Sequence, residues 1–205
     1  ILAVGVVDSI PKLVASRILQ PVLHSDTPIR LVCREASLEA LLGDLAVHQL
    51  DLVLSDRPIP TGLSVKAFSH VLGSSELAMF GKKGTTRLYE KNFPHSLDKA
   101  PVLLPIMDNP IRRALDDWFE QQGISPTLVA VFEDSALMKA FGAAGNGIFP
   151  APAAISEEVE RMYHCRRIGP AIPIEEKYFA ISPERKLKHP AVMNIIETAR
   201  SQLLP

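Results

Sequence analysis

The sequence predicts an α/β protein built as two lobes, and three observations carry that reading. Short apolar runs alternate with amphipathic segments along most of the 205 residues. The dipeptide Asp-Ser closes such a run twice, in Val4-Gly5-Val6-Val7-Asp8-Ser9-Ile10 and in Leu128-Val129-Ala130-Val131-Phe132-Glu133-Asp134-Ser135-Ala136, which reads as a buried strand meeting a helix N-terminus at two distant places. The alternation breaks after Gly62, where two strand-like stretches follow each other without a helix, and then resumes. Parallel α/β sheets bind ligands at the carboxyl ends of strands, where free N–H groups of the next helix converge with short polar side chains. Two such ends point to two Rossmann-like lobes facing one cleft.

The elements follow in order. Residues 2–7 form a strand feeding a helix over residues 11–23, whose Leu13, Val14, Ile18 and Leu19 recur at helical spacing, with Pro11 tolerated in the first turn. Residues 28–35 alternate as a strand, and Ser37 caps a helix with the stripe Leu38, Leu41, Leu42 and Leu45. Residues 51–55 form a short strand ending at Asp56-Arg57-Pro58, after which Pro58, Pro60 and Gly62 mark a loop. Three strands with two helical crossovers make a compact parallel sheet. Residues 63–72 and 76–80 are read as successive strands, followed by the polar loop Gly81-Lys82-Lys83-Gly84. The second set comprises a strand over 101–105, a helix over 111–122 stopped by Gly123, a strand over 127–132, and a helix over 135–144 with Ala136, Leu137, Ala140 and Phe141 on one face. Ile148-Phe149 begins a strand that Pro150 and Pro152 are expected to cut short. A lone strand over 177–182 and a last helix opened by His189-Pro190-Ala191-Val192 complete the chain, the helix packing back onto the first lobe. The chain thus passes between lobes twice, near residues 80–83 and 180–185, giving lobe I over 1–81 plus 183–205 and an inserted lobe II over 82–182. Two connecting strands form a natural hinge.

Composition narrows the function. Apolar residues at 47% and charged residues at 22% specify a folded chain rather than a disordered one. A formal net charge of −1, with both signs spread along the chain, offers no basic arm for nucleic acid. Cys33 and Cys165 each lie in an apolar strand and are expected as buried thiols in a cytoplasmic protein, with a structural disulfide between them as the alternative. No run approaches the roughly eighteen apolar residues of a membrane span, and no leader precedes the first strand. Because the chain opens inside a strand at Ile1, it is read as a piece lacking an N-terminal domain. His24, His48, His70, His95, His164 and His189 show no metal-ligand spacing. Arg112-Arg113 shares its helix with Asp116-Asp117, so i,i+4 pairs on a solvated face are expected there. Gly142-x-x-Gly145-x-Gly147 follows a helix and precedes a strand, the reverse of a dinucleotide motif. With no nucleophile, base and orienting group at recognisable spacing, neither catalysis nor a cofactor is expected.

The opening Leu2-Ala3-Val4-Gly5-Val6, the helix with Leu41-Leu42 followed by Leu50-Asp51-Leu52-Val53-Leu54, the turn Ala143-Ala144-Gly145-Asn146-Gly147-Ile148 and the late His189-Pro190-Ala191-Val192 stand in an order that resembles the effector-binding domain of LysR-type transcriptional regulators. The resemblance spans essentially the whole chain and implies the type II periplasmic-binding-protein-like fold. Leu54-Ser55-Asp56-Arg57-Pro58-Ile59 and the stretch from Phe132 to Ala143 are most similar to the members that activate sodium/proton antiporter genes. The resemblance further implies a preceding winged helix-turn-helix that reads DNA, and a head-to-tail dimer, extendable to a tetramer. In that dimer the first helix and the strand near residues 29–34 of one subunit meet the helix over 135–144 and the strand over 127–132 of another. It implies an interlobe effector site formed by Asp8 and Ser9, Ala36 and Ser37, Asp56, Arg57 and Pro58, Met107, and Phe132, Glu133 and Asp134.

Helix N-termini with serines favour anions, yet Asp8, Asp56, Glu133 and Asp134 would bring negative charge, favouring a cation, an amine or a proton-linked event. Three readings of these acids stand side by side: helix N-caps at Asp8 and Asp134, a carboxylate cluster titrating with raised pKa, or direct coordination of a hard cation. Arg57 would offset part of the charge. The functional expectation is an effector-sensing, oligomerising regulatory domain, with an extracytoplasmic solute-binding protein as the alternative.

Overall fold

The computed structural model describes residues 1–24, 28–63, 65–183 and 189–202. The chain forms two compact units, unit 1 from Ile1–Ser74 with Lys177–Pro205 and unit 2 from Ser75–Glu176. In chain order the first elements are β1 (Leu2–Val7), α1 (Lys12–Leu23), β2 (Leu31–Ala36), α2 (Leu38–Ala46), β3 (Leu52–Ser55), β4 (Phe68–Lys82), α3 (Arg87–Glu90) and β5 (Pro101–Pro105). There follow α4 (Arg112–Gln121), β6 (Thr127–Phe132), α5 (Ser135–Ala144), β7 (Phe149–Pro152), α6 (Ser156–Tyr163), β8 (Cys165–Ser182) and α7 (Pro190–Gln202). Both passages between units lie inside long strands, β4 and β8, whereas the sequence reading set them at 81/82 and 182/183. The pattern along β4 and β8 carries no mark of where one strand leaves one unit, and residues 184–188 of the second expected passage lie outside the described residues.

In unit 1, β1 pairs in parallel with β2, from Leu2↔Leu31 to Val7↔Ala36, and with β3 through Val4↔Leu52 and Val6↔Leu54. The end of β8 adds to β3 antiparallel, with Val53 opposite Ile181. Being flanked on both sides, β1 is uniformly apolar, as central parallel strands are. A Cβ at Gly5 would lie 2.8 Å from Leu50 Cδ1 and 2.9 Å from Leu41 Cδ2, so glycine there lets α2 and its following loop close onto the strand. The inner face of α1, including Val14, Ile18 and Val22, is buried, and α1 packs against α7 as the apolar positions of the last helix require.

Two strand readings are corrected. The strands expected over 63–72 and 76–80 are replaced by one strand, β4, over Phe68–Lys82, which residues 63 and 65–67 do not join, and residues 177–182 are the end of the 18-residue β8. Pro170 and Pro173 interrupt the sequence pattern of β8 without interrupting the strand, while its buried and exposed positions alternate across Glu175–Ala180.

In unit 2, β5 pairs in parallel with β6, and the last part of β4 pairs antiparallel with β7, Leu77↔Pro152 through Phe80↔Phe149. Of the prolines expected to cut β7 short, Pro150 sits inside the strand and Pro152 is its last residue. Ile148 donates its N–H to the Pro101 carbonyl at 2.8 Å and accepts from Leu103 N at 2.8 Å, so its polar groups face β5. By the two-residue period, those of residues 150 and 152 face the same way. Both are prolines with no N–H to give, so the β5–β7 ladder stops at the single bridge Val102↔Ile148 while the β4 side continues. The core here gathers Leu77, Met79, Val102, Leu104, Leu115, Trp118, Phe119 and Ile168. The sequence reading missed α6, in which only Val159 is buried, because one apolar contact gives no periodicity.

A Cβ at Gly142 would collide with the Phe149 ring. Gly142→Ala should therefore lower unfolding free energy by about 1–3 kcal/mol, despite the better helix propensity of alanine, as read by urea denaturation.

Candidate functional site

The carboxyl ends of β1, β2 and β3 meet at one end of the unit 1 sheet. After β1 the chain turns at Asp8-Ser9, and the Asp8 N–H donates to Ala36 O at 3.2 Å, tying this turn to the end of β2. Ser37 caps α2, its Oγ accepting from Ala40 N at 3.4 Å. Past β3, Asp56 has a side chain only 1% exposed, and both of its oxygens are used. Ser9 Oγ donates to Oδ2 at 2.6 Å, and Arg57 Nε donates to Oδ1 at 3.0 Å. The loop is held by Ser55, whose Oγ donates to Arg57 O at 2.6 Å and accepts from Arg57 N at 3.2 Å. A buried carboxylate needs such partners. Arg57 is half-buried and keeps N–H groups beyond Nε, so this corner presents a guanidinium and a serine hydroxyl rather than a bare negative charge. Pro58 is exposed beside it.

Asp8 is not a helix cap. The N-cap of α1 is Pro11, with no side-chain cap bond, because the turn Val7–Ile10, closed by Ile10 N donating to Val7 O at 3.0 Å, puts Asp8 ahead of the helix. Its carboxylate accepts no hydrogen bond among the described residues and is half-exposed.

The unit 2 residues occupy the corresponding ends of β5 and β6. Ile106 N donates to Phe132 O at 3.0 Å, joining the two strand ends. Met107 and Glu133 are exposed, and Phe132 packs against Phe141 at 5.1 Å between ring centroids. Asp134 is the N-cap of α5, Oδ1 accepting from Ala136 N at 2.5 Å and Leu137 N at 3.1 Å. The N-cap reading therefore holds for Asp134 and fails for Asp8.

Arg112 differs from its expected solvated position. It forms the i,i+4 pair with Asp116 at 3.0 Å but is buried, since its Nη1 also donates to Pro105 O at 2.7 Å and anchors α4 to the end of β5. The spacing Asn109-Pro110-x-Arg112 after a strand end was the available signal. Gly145 takes the left-handed φ of 94° that ends α5, so the glycine motif serves as a helix stop. Among the described residues no group of three or more His, Cys, Asp or Glu is arranged to hold a metal ion.

Cys33 is exposed, against expectation, because β2 is an edge strand paired only with β1. Burial first, and Glu35 second, push its thiol pKa upward. Cys165 is buried, and burial raises its pKa from 9.0 to about 11.

Iodoacetamide should label Cys33 in the folded chain, more slowly than an unperturbed thiol, and Cys165 only after unfolding, as peptide mass mapping would show. The neutral Cys165 thiol contributes stability that is whole below about pH 9 and is lost as pH rises toward 11; Cys165→Ala should flatten that part of the stability-pH curve. Asp134→Ala should cost about 1 kcal/mol through the lost cap, measured by denaturant unfolding.

Residues 1–204 match the LysR substrate binding domain family. The transcriptional activator protein NhaR of Escherichia coli (strain K12) is 36% identical over 98% of this chain and 65% of its own length, and the NhaR of Shigella flexneri matches equally. The chain thus spans 65% of the length of these relatives. Among solved structures, CbnR, a LysR family transcriptional regulator, superposes with a TM-score of 0.74 at 17% identity, covering 97% of this chain and 68% of CbnR. The effector binding domain of QuiR in complex with shikimate gives 0.66 at 13% identity, covering 98% and 95%. At such identities the structural likeness shows the fold, which is the type II periplasmic-binding-protein-like one. The fold and the match along the sequence agree, and the chain belongs to the LysR substrate binding domain family.

Proposed function

We propose that this chain is the effector-sensing and oligomerising part of a transcriptional activator. The observation that carries this reading is the 36% identity to NhaR along 98% of the chain. The solute-binding alternative has no such relative behind it. DNA would be read by a winged helix-turn-helix preceding this chain, since its own net charge of −1 provides no phosphate-binding arm. The likeness to NhaR supports a cytoplasmic setting; among the described residues no helix is long and apolar enough to cross a membrane.

Effector contact is assigned to the strand ends, Asp8, Ser9, Ala36, Ser37, Asp56, Arg57 and Pro58 in unit 1 and Met107, Phe132, Glu133 and Asp134 in unit 2. Arg57 compensates Asp56 and the α5 amides engage Asp134, leaving Asp8 in unit 1 and Glu133 in unit 2 as the carboxylates open to a cationic effector. A sodium- or pH-linked response of antiporter genes is the finer reading we attach to this domain. Effector binding would act by shifting the population between two packings of the oligomer.

The dimer reading is supported by two edges. β6 exposes Leu128, Val129 and Val131, and α5 exposes Leu137 and Phe141, an apolar surface that isolated domains avoid. In unit 1 the edge strand β2 exposes Val32. A head-to-tail pair would set β2 and α1 of one copy on β6 and α5 of the next, covering both.

Full-length protein should retard promoter DNA, and this domain alone should not, in a gel-shift assay at about 0.15 M salt; retardation by the domain alone would contradict the assignment. The melting temperature should rise more in sodium than in potassium or lithium salts at matched ionic strength, and the difference should vanish in Asp8→Ala. Val129→Lys combined with Val131→Lys should convert the dimer to monomer in sedimentation, and alkylation of Cys33 should then lose its dependence on protein concentration.

A further inference from the structure

The loop between β4 and α3, read from sequence only as a polar connection, builds a cationic cavity with a buried hydroxyl. Beyond Lys82 the chain turns sharply, Thr85 donating to Lys82 O from both N, at 3.1 Å, and Oγ1, at 2.9 Å. Gly84 supplies the φ of 101° that the turn needs. Lys83 N donates to His164 O at 3.4 Å, which brings the start of β8 alongside. Lys83, Gly84, Thr86, Arg87 and Arg166 line a cavity of about 290 Å³ with no acidic residue among them. None of the three cations pairs with a carboxylate among the described residues. Thr86 is only 1% exposed, and its Oγ1 is buried with no hydrogen-bond partner among the described residues. Burying a hydroxyl without a partner is destabilising, so an acceptor reaching Thr86 beside the three cations would relieve that cost.

This cavity is separate from the strand ends already described. Because β4 runs antiparallel to β7, and Ile148 just before β7 bridges Val102 at the start of β5, the end of β4 lies at the opposite end of the unit 2 strands from Pro105 and Phe132.

We propose that the cavity binds a phosphate dianion, free or as a small phosphomonoester. Arg87 and Arg166 supply charge-assisted donors, Lys83 a point charge, and Thr86 a hydroxyl donor. The volume lies at the lower end of small-molecule sites, which suits a phosphate with a short organic tail rather than a nucleotide.

Isothermal titration of the domain with inorganic phosphate and with glycerol 3-phosphate, in chloride buffer of fixed ionic strength, tests this. Saturable binding of either is expected, the tighter one identifying whether the tail is used. Arg87→Gln combined with Arg166→Gln should weaken it by about tenfold or more, while Arg57→Gln at the unit 1 strand ends should leave it unchanged. Thr86→Val should raise the melting temperature in phosphate-free buffer, because it removes an unpartnered hydroxyl, and should also weaken phosphate binding. No saturable heat with either ligand, binding that survives the double arginine substitution, or binding lost in Arg57→Gln would each overturn the proposal.

Discussion

β4 and β8 each contribute residues to both units, so the polypeptide enters and leaves unit 2 through a pair of strands that are neighbours in the sheet. This constraint organises the rest. A strand of 15 or 18 residues is long compared with the usual five or six, and each must satisfy the core of one unit at its start and that of the other at its end. Leu77 and Met79 of β4 and Ile168 and Ile172 of β8 belong to the unit 2 core, whereas Ala180 and Ile181 of β8 lie against β3 in unit 1. A substitution along these strands is therefore felt by whichever unit holds that residue, while the backbone joins both.

The two sets of strand ends are built by different devices. In unit 1 a buried carboxylate organises the corner: Asp56 fixes the Ser9 hydroxyl on one oxygen and the Arg57 guanidinium on the other. In unit 2 the backbone does more of the work, through Asp134 on the α5 amides and Arg112 on the Pro105 carbonyl. Charge counted along the sequence suggested a concentration of acids. Hydrogen bonding converts two of those four acids, Asp56 and Asp134, into structural acceptors; the unit 1 corner keeps a guanidinium, a hydroxyl and the Asp8 carboxylate, and the unit 2 corner keeps the exposed Glu133.

The alternation of strands and helices was legible because each central element has one simple pattern: unbroken apolar runs in β1, β3 and β5, and the Leu38, Leu41, Leu42, Leu45 stripe behind the Ser37 cap in α2. The long strands were not, since Gly73 and the run of serines in β4 and the prolines in β8 imitate turn signals that tertiary pairing overrides. In β7 the prolines mark both an edge and an end, since the strand continues through Pro150 and stops at Pro152. At the candidate site, residue types and positions at strand ends could be read, but partners could not. Whether Asp8 or Pro11 caps α1, and whether Arg112 faces solvent or a carbonyl, depends on turn geometry that a single residue decides. The unpartnered Thr86 hydroxyl left no trace in the sequence, because burial of one side chain in a loop has no periodicity.

The order in which the chain is threaded has a consequence for biosynthesis. Unit 2 is one uninterrupted stretch, Ser75–Glu176, while unit 1 is split, its β3 awaiting the end of β8 and its α1 awaiting α7. As the polypeptide emerges from the ribosome, the inserted half has all its residues first. The outer edge of β3 and the inner face of α1 stay uncovered until the last thirty or so residues are made. Nascent-chain chaperones therefore meet the amino-terminal piece of this domain for longer than any other part of it.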